Sequence, residues 1–223
     1  GGDGISVVDF GGSQFRSHDN VFQGPLGGDG ISVVDFGGSQ FRSQDNIFQE
    51  MAGSGVFSSG GQGTYLMHND RMEGPIGRDG ITIQGFQGQS VTLQQIHVGE
   101  VSRVGISGVE SLGWWTVDGA TFQGPIGFDG ISLQSVGQED ARVKITGIDG
   151  ESIGRFGMRL LDGLGWWTVD GTTFRGTGGP GVVAKGFTAG NQLDFGHVDV
   201  TGAQSMGMVF DSNGASVEVT DAE

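Results

Sequence analysis

The chain has 223 residues, 47 of them Gly, 4 Pro and no Cys, and a formal net charge of −15. The acidic balance argues against nucleic acid and anionic membrane as partners, and the lack of Cys excludes a disulfide frame or a thiolate metal centre. Gly without an every-third spacing excludes collagen, scarce Pro argues against a Pro-Gly disordered tract, and no apolar run reaches the roughly 18 residues that would insert in a bilayer.

Taken from the N-terminus, the first unit opens on Gly4-Ile5, where Ile5 and Val7 share one side and Ser6 faces the other. An apolar residue follows at Phe10, a second alternating segment holds Phe15, and Phe22 closes the unit. Alternation of period two predicts short strands with one buried face. Residues 27–52 begin as a near copy, GGDGISVVDFGGSQFRSQDNIFQ against GGDGISVVDFGGSQFRSHDNVFQ. The Gly–aliphatic anchor then returns at Gly55-Val56, Gly80-Ile81, Gly105-Ile106, Gly130-Ile131, Gly157-Met158, Gly181-Val182 and Gly207-Met208. Later columns align as well. Phe15, Phe41, Tyr65, Val91, Trp115, Val143, Trp167, Leu193 and Val217 share one position, and Met67, Leu93, Val117, Ile145, Phe195 and Val219 another. Phe22, Phe48, Met72, Val98, Phe122 and Phe174 close most units. Pro25, Pro75 and Pro125 stand in Gly-Pro-x-Gly segments, expected to be β-turns with Pro at the second position.

A beat of about 25 residues marks a solenoid, a propeller or an array. One such unit cannot bury enough apolar surface to fold alone, whereas stacked units share ladder hydrogen bonds and a continuous core. A propeller blade would be twice as long, and the near-identical first two units, one coil apart, fit its antiparallel strands poorly. The expected fold is all-β, a solenoid of about nine coils over residues 1–223, and at about 4.8 Å per rung it makes a rod of roughly 43 Å.

The Gly-Ile anchor, the apolar strand after it and the later strand ending in Phe-x-Gly resemble the repeats of right-handed parallel β-helix proteins. Many of these are secreted or attached to bacterial surfaces, including autotransporter-type passengers, phage tailspikes, and polysaccharide lyases and hydrolases. The resemblance covers essentially the whole chain. It implies the right hand of the coil and an extracellular or cell-surface location, and it leaves function open.

Stacking of the near-copied units should set Phe10 on Phe36, Phe15 on Phe41 and Asn20 on Asn46. The same register sets Asp3 on Asp29, Asp9 on Asp35, Asp19 on Asp45 and Arg16 on Arg42, like on like. Capping of turns by the Asp side chains is the plainer account; a Ca²⁺ ion held by Asp3 and Asp29 is the sharper one. The calcium-binding nonapeptide of roll-type repeats is rejected, because Ser6 and Ser32 stand where it needs Asp and no nine-residue period exists.

If Trp115, Val143 and Trp167 point inward, their neighbours form an outward patch. Arg142 falls between Trp114 and Trp166, Lys144 between Thr116 and Thr168, and Asp118 and Asp170 flank Thr146. Exposed Trp beside carboxylate and hydroxyl groups suits a sugar ring, which needs an apolar face and hydrogen-bond partners. A purely structural Arg–Trp stack is the competing account. An enzyme is not expected. Gly196-His197-Val198 lacks the second Gly of the Gly-His-Gly motif found in hydrolases of this fold, no Arg-x-Lys follows, and near-constant unit length leaves no long loops to build a cleft. The four His form no metal site, and Lys144 interrupts any Thr array of the ice-binding kind.

The expected role is a non-catalytic structural or adhesive rod, with a carbohydrate-binding or carbohydrate-cleaving module as the alternative. Gly1 already lies inside a repeat and is not Met, so a longer or processed product is expected. Residues 1–3 and 220–223 are too short to cover an open core, so the expected partners are flanking repeats or a second copy stacked end to end.

Overall fold

A computed structural model describes residues 2–220; residues 1 and 221–223, parts of the two expected open ends, lie outside the described residues. The described residues form twenty-six strands, numbered β1 to β26 in chain order, in three parallel sheets of nine, nine and eight strands, with no helix. The fold is a parallel β-solenoid of about nine turns. Its first coil is β1 (Ile5–Val8), β2 (Gln14–His18) and β3 (Val21–Phe22), and every later coil adds one rung to each of the first two sheets.

The Gly–aliphatic beat is the register of the first sheet. Ile5 pairs with Ile31, Ile31 with Val56, Val56 with Ile81, and the series runs unbroken to Val182 on Met208. The glycine is dictated by packing. A Cβ on Gly30 would collide with the Phe48 ring from the third sheet and with the carbonyl oxygen of Gly55 on the next rung. Only a residue without a side chain lets the corner close this tightly.

The bends between the first two sheets follow from left-handed residues stacked in a column. Asp9, Asp35, Glu110, Ser135 and Asp162 have φ of 48–52°, and Gly60, Gly85 and Gly186 occupy the same corner in other coils. A second column, Asp19, Asp45, Asn69, Gln95, Gly119, Gly147 and Gly171, ends the second strand of successive coils. Asp and Asn tolerate this region because their short polar side chains bond locally. Each left-handed residue turns the chain so that the next side chain enters the core. Phe10 and Phe36 therefore stack at 5.3 Å, Phe15 and Phe41 at 5.5 Å, and Asn20 donates to Asn46 Oδ1 at 3.0 Å, as the repeat predicted.

Four details differ from the sequence reading. The column that begins at Met67 starts two coils earlier, with Ser17 and Ser43, both buried. Their hydroxyls serve a ladder of Asn20, Asn46 and Asp70, exposed at Asn20 and buried at the other two, which Ile96 ends one rung on. The closing column contains Gly150 between Phe122 and Phe174, because Ile153 reaches into the space a side chain would take. The Gly-Pro-x-Gly segments are not simple β-turns. The Leu26 amide donates to the Gly24 carbonyl across Pro25, a three-residue turn, and Leu26, Met51, Ile76, Val101 and Ile126 form a further parallel column of single bridges. Pro125 falls within β15 (Thr121–Ile126). Finally, His197 lies at a corner just before β24 (Val198–Thr201) rather than in a strand.

Tyr65 shows how one coil absorbs a polar change. It stacks in the Phe column, and its hydroxyl occupies the space opened by Gly61, bonding Ser58 Oγ at 3.0 Å. Burial pushes its phenol up to about 12.

Candidate functional site

The outward face of the second sheet carries the aromatic and basic patch. Its strands here are β14 (Trp114–Asp118), β17 (Arg142–Thr146), β20 (Trp166–Asp170), β23 (Gln192–Phe195) and β26 (Ser216–Val219). Strand alternation puts Trp115, Val117, Trp167 and Val169 in the core, which forces Trp114 and Trp166 outward. They are 55% and 51% exposed. Arg142 pairs in register with Trp166, and Trp115 with Val143, so Trp114 flanks Arg142 on the other side. Thr116, Lys144 and Thr168 form the next outward row, and Asp118, Thr146 and Asp170 the third.

The side chains divide this patch unevenly. The guanidinium of Arg142 lies 5.4 Å from the Trp166 ring centroid, so the cation–π stack is made with Trp166; no such contact joins it to Trp114. Among the described residues no cation stacks on the Trp114 face. Thr146 donates to Asp118 Oδ1 at 2.7 Å. Asp170 turns the other way and accepts from the Gly171 amide at 2.9 Å and the His197 amide at 3.0 Å, with His197 Nδ1 3.3 Å away. The bond from the His197 side chain is the first cause holding Asp170 below the usual carboxylate range. Asp118 and Asp170 thus sit two rungs apart with separate local partners, and no bond joins them.

Two adjoining grooves extend the patch toward the C-terminal coils. The first is lined by Arg142, Lys144, Trp166, Thr168, Gln192 and Asp194. The second shares Thr168 and Asp194 and adds Asp170, His197 and Glu218. Gln192 donates to both oxygens of Asp194, at 3.0 and 3.1 Å. Asp194 and Glu218 were overlooked as site residues although their signal is present: Leu193 and Phe195 point inward, so Asp194 between them must point out, and Glu218 follows it one rung on.

The Asp residues of the Asp-Gly-Ile turns have backbone partners. Asp3 Oδ1 accepts from the Asp29 amide at 2.9 Å, Asp29 Oδ1 from the Ser54 amide at 2.6 Å, and Asp79 Oδ1 from the Val104 amide at 3.1 Å. Each carboxylate caps the coil above it, which relieves the like-charge stacking the copied units impose. Burial, opposed by the Ser54 amide and reinforced by the Asp3 charge, raises Asp29. The fourth member, Asp129, is fully buried and receives Arg155 through two bonds of 2.8 Å, with Arg159 Nε at 3.1 Å. Among the described residues, no group of three or more His, Asp or Glu is placed to hold a metal ion.

Compared with protein-family models, with curated proteins and with solved structures, the chain has no significant match.

Proposed function

We propose that this chain is a non-catalytic structural and adhesive rod, working outside the cell on a bacterial surface or in a secreted assembly. The observation that carries the reading is the continuous stacking of the first two sheets through nine coils, with no long inserted loop among the described residues to build a catalytic cleft. Such a solenoid is stiff, because bending it would break ladder bonds in three sheets together. Extracellular placement rests on the likeness of the repeat to secreted β-helix proteins. The outermost described rungs of the parallel ladders would accept further coils of the same kind, from flanking repeats or from a second copy stacked end to end. Incubation with acidic polysaccharides, with and without Ca²⁺, tests the reading: no chain shortening is expected, and steady cleavage would refute it.

A second reading is favoured by the groove between Trp166, Arg142 and Asp194: the rod holds glycans on this face without cleaving them. Trp rings supply the apolar platform, and Thr168, Gln192 and Asp194 supply hydrogen-bond partners for sugar hydroxyls. Glycan-array binding by the chain and by its Trp114→Ala and Trp166→Ala variants checks it. Loss of binding in the variants is expected; binding that survives both changes would overturn it.

A further inference from the structure

The distribution of charge on the second sheet goes beyond that patch. Of the eleven Arg and Lys side chains, Arg71, Arg103, Arg155, Arg159 and Arg175 make ion pairs with carboxylates. The other six are Arg16, Arg42, Arg78, Arg142, Lys144 and Lys185. Four of those, Arg16, Arg42, Arg142 and Lys144, lie on the outward face of the second sheet. The two outward rows that hold them contain no acidic residue over the first seven coils. One row runs from Gln14 to Trp166 and the other from Arg16 to Thr168, and everything between the cations is Gln, Thr, Ser, Leu or Trp. The acids of this face stand beside these rows, at Asp118 and Asp170, and beyond their seventh coil, at Asp194 and Glu218.

The Arg16 and Arg42 pair is the sharper half of the pattern. In-register copying sets two like-charged Arg residues on adjacent rungs, and their guanidiniums turn opposite ways along the strand, one toward Gln14 and the other toward Gln44. Each is steadied by a neutral amide oxygen, Gln14 Oε1 for Arg16 and Gln44 Oε1 for Arg42, and Arg42 also acts at longer range on the Asp45 carboxylate. A groove between them is lined by Arg16, His18, Arg42 and Gln44. The nearby acids are held at the corner, Asp19 by His18 and Asp45 by Asn69 and Gln44.

We infer that this strip is an attachment track for a polyanionic polysaccharide, bearing sulfate or carboxylate groups, that lies along the rod axis. The inference rests on the glycan-holding reading above. Arg42 and Lys144 are four rungs apart, about 19 Å at the ladder spacing. A long saccharide engages both cationic clusters and stacks on the Trp rings between and beyond them, while a short one reaches a single cluster. The wide gap bridged by hydroxyl and amide side chains matches a polymer of sparse charge and many hydroxyls. Nucleic acid, with a phosphate on every nucleotide, carries its charge far more densely than two cationic clusters about 19 Å apart can match.

The test compares polymers that share one backbone. Dextran and lightly substituted carboxymethyl-dextran and dextran sulfate are titrated into the full chain by calorimetry, each as a short fragment of about two sugars and a long one of about twelve, sizes that fall below and above the 19 Å gap. One or both charged long polymers are expected to bind at least about tenfold more tightly than dextran and than their own short fragments. Sulfate and carboxylate arms identify which group is read. Arg16→Gln/Arg42→Gln and Arg142→Gln/Lys144→Gln variants, confirmed folded by circular dichroism, should each reduce the long polymer to the affinity of the short one. Equal binding of dextran and its charged forms overturns the charge inference and leaves the glycan reading standing. Absence of binding to every polymer sinks both. Oligo-deoxythymidylate binding as tightly as the charged dextrans overturns the polysaccharide assignment.

Discussion

Replacing Asp70 with Asn should stabilise the protein, and only at a pH where the carboxyl would ionise. Asp70 is fully buried in the third coil, and its Oδ1 accepts from the Asn46 amide at 2.9 Å and from Asn46 Nδ2 at 3.0 Å. Among the described residues its Oδ2 has no hydrogen-bond partner, because Ile96 stands on the next rung. Desolvation is the largest influence on this carboxyl and, against the Ser43 and Asn46 bonds, pushes it up to about 6 from 3.8. A folded-state value above the unfolded one means that the acid form favours folding. Well below pH 3.8 both states are protonated and the site makes no pH-dependent contribution. As pH rises from about 4 through about 6, the unfolded chain ionises freely while the folded one resists, and stability falls to a plateau about 3 kcal/mol lower. The amide side chain of Asn has the same shape and no charge. On the rung before, Asn46 Nδ2 donates to the Ser17 carbonyl at 3.1 Å, so a side-chain amide introduced in place of the Asp70 carboxyl would find the Ser43 carbonyl in the corresponding place. Urea unfolding of wild type and Asp70→Asn at pH 4 and pH 8 measures the effect. The difference is expected to be only about 0.5 kcal/mol at pH 4 and up to about 3 kcal/mol in favour of the variant at pH 8. The shared titration of all other carboxylates cancels in that comparison. A difference that does not change with pH, or a variant less stable at pH 8, would refute the reasoning.

Other outcomes follow from the same packing. Gly30→Ala should destabilise by roughly 1–3 kcal/mol, because its Cβ meets the Phe48 ring and the Gly55 backbone; thermal melting reports it. Tyr65 is the chain's single tyrosine, so phenolate absorbance follows it alone. No phenolate should form below about pH 11 while the protein stays folded, and the raised phenol subtracts stability as pH climbs through 10 toward 12. Tyr65→Phe should cost about 1–2 kcal/mol by leaving the buried Ser58 hydroxyl without its partner, and the companion change Ser58→Ala should recover most of that.

Much of the candidate face was legible, for a specific reason. Once Trp115, Val143 and Trp167 are recognised as one inward column, strand alternation compels Trp114, Arg142 and Trp166 onto one outer row. Where Arg142 turns is a rotamer choice between two similar neighbours, and alternation is silent about it. Asp170 likewise shares a row with Asp118, but its bonds go to His197 at a corner, and corners have no period to read.

The 25-residue recurrence of Gly followed by an aliphatic residue determined by itself the coil number, the rung register and the inward or outward sense of nearly every strand residue. It suffices because each coil can bury its apolar face only against a neighbour of the same pattern, and a slip of one residue would reverse every side chain. Tertiary structure alone decided how the exceptions are absorbed: Ser17 and Ser43 beneath an Asn–Asp ladder, Gly61 and Ser58 around the Tyr65 hydroxyl, and Gly150 making room for Ile153. Those adjustments depend on volumes and hydrogen-bond directions between residues one coil apart, which repeat spacing brings together without specifying how they meet.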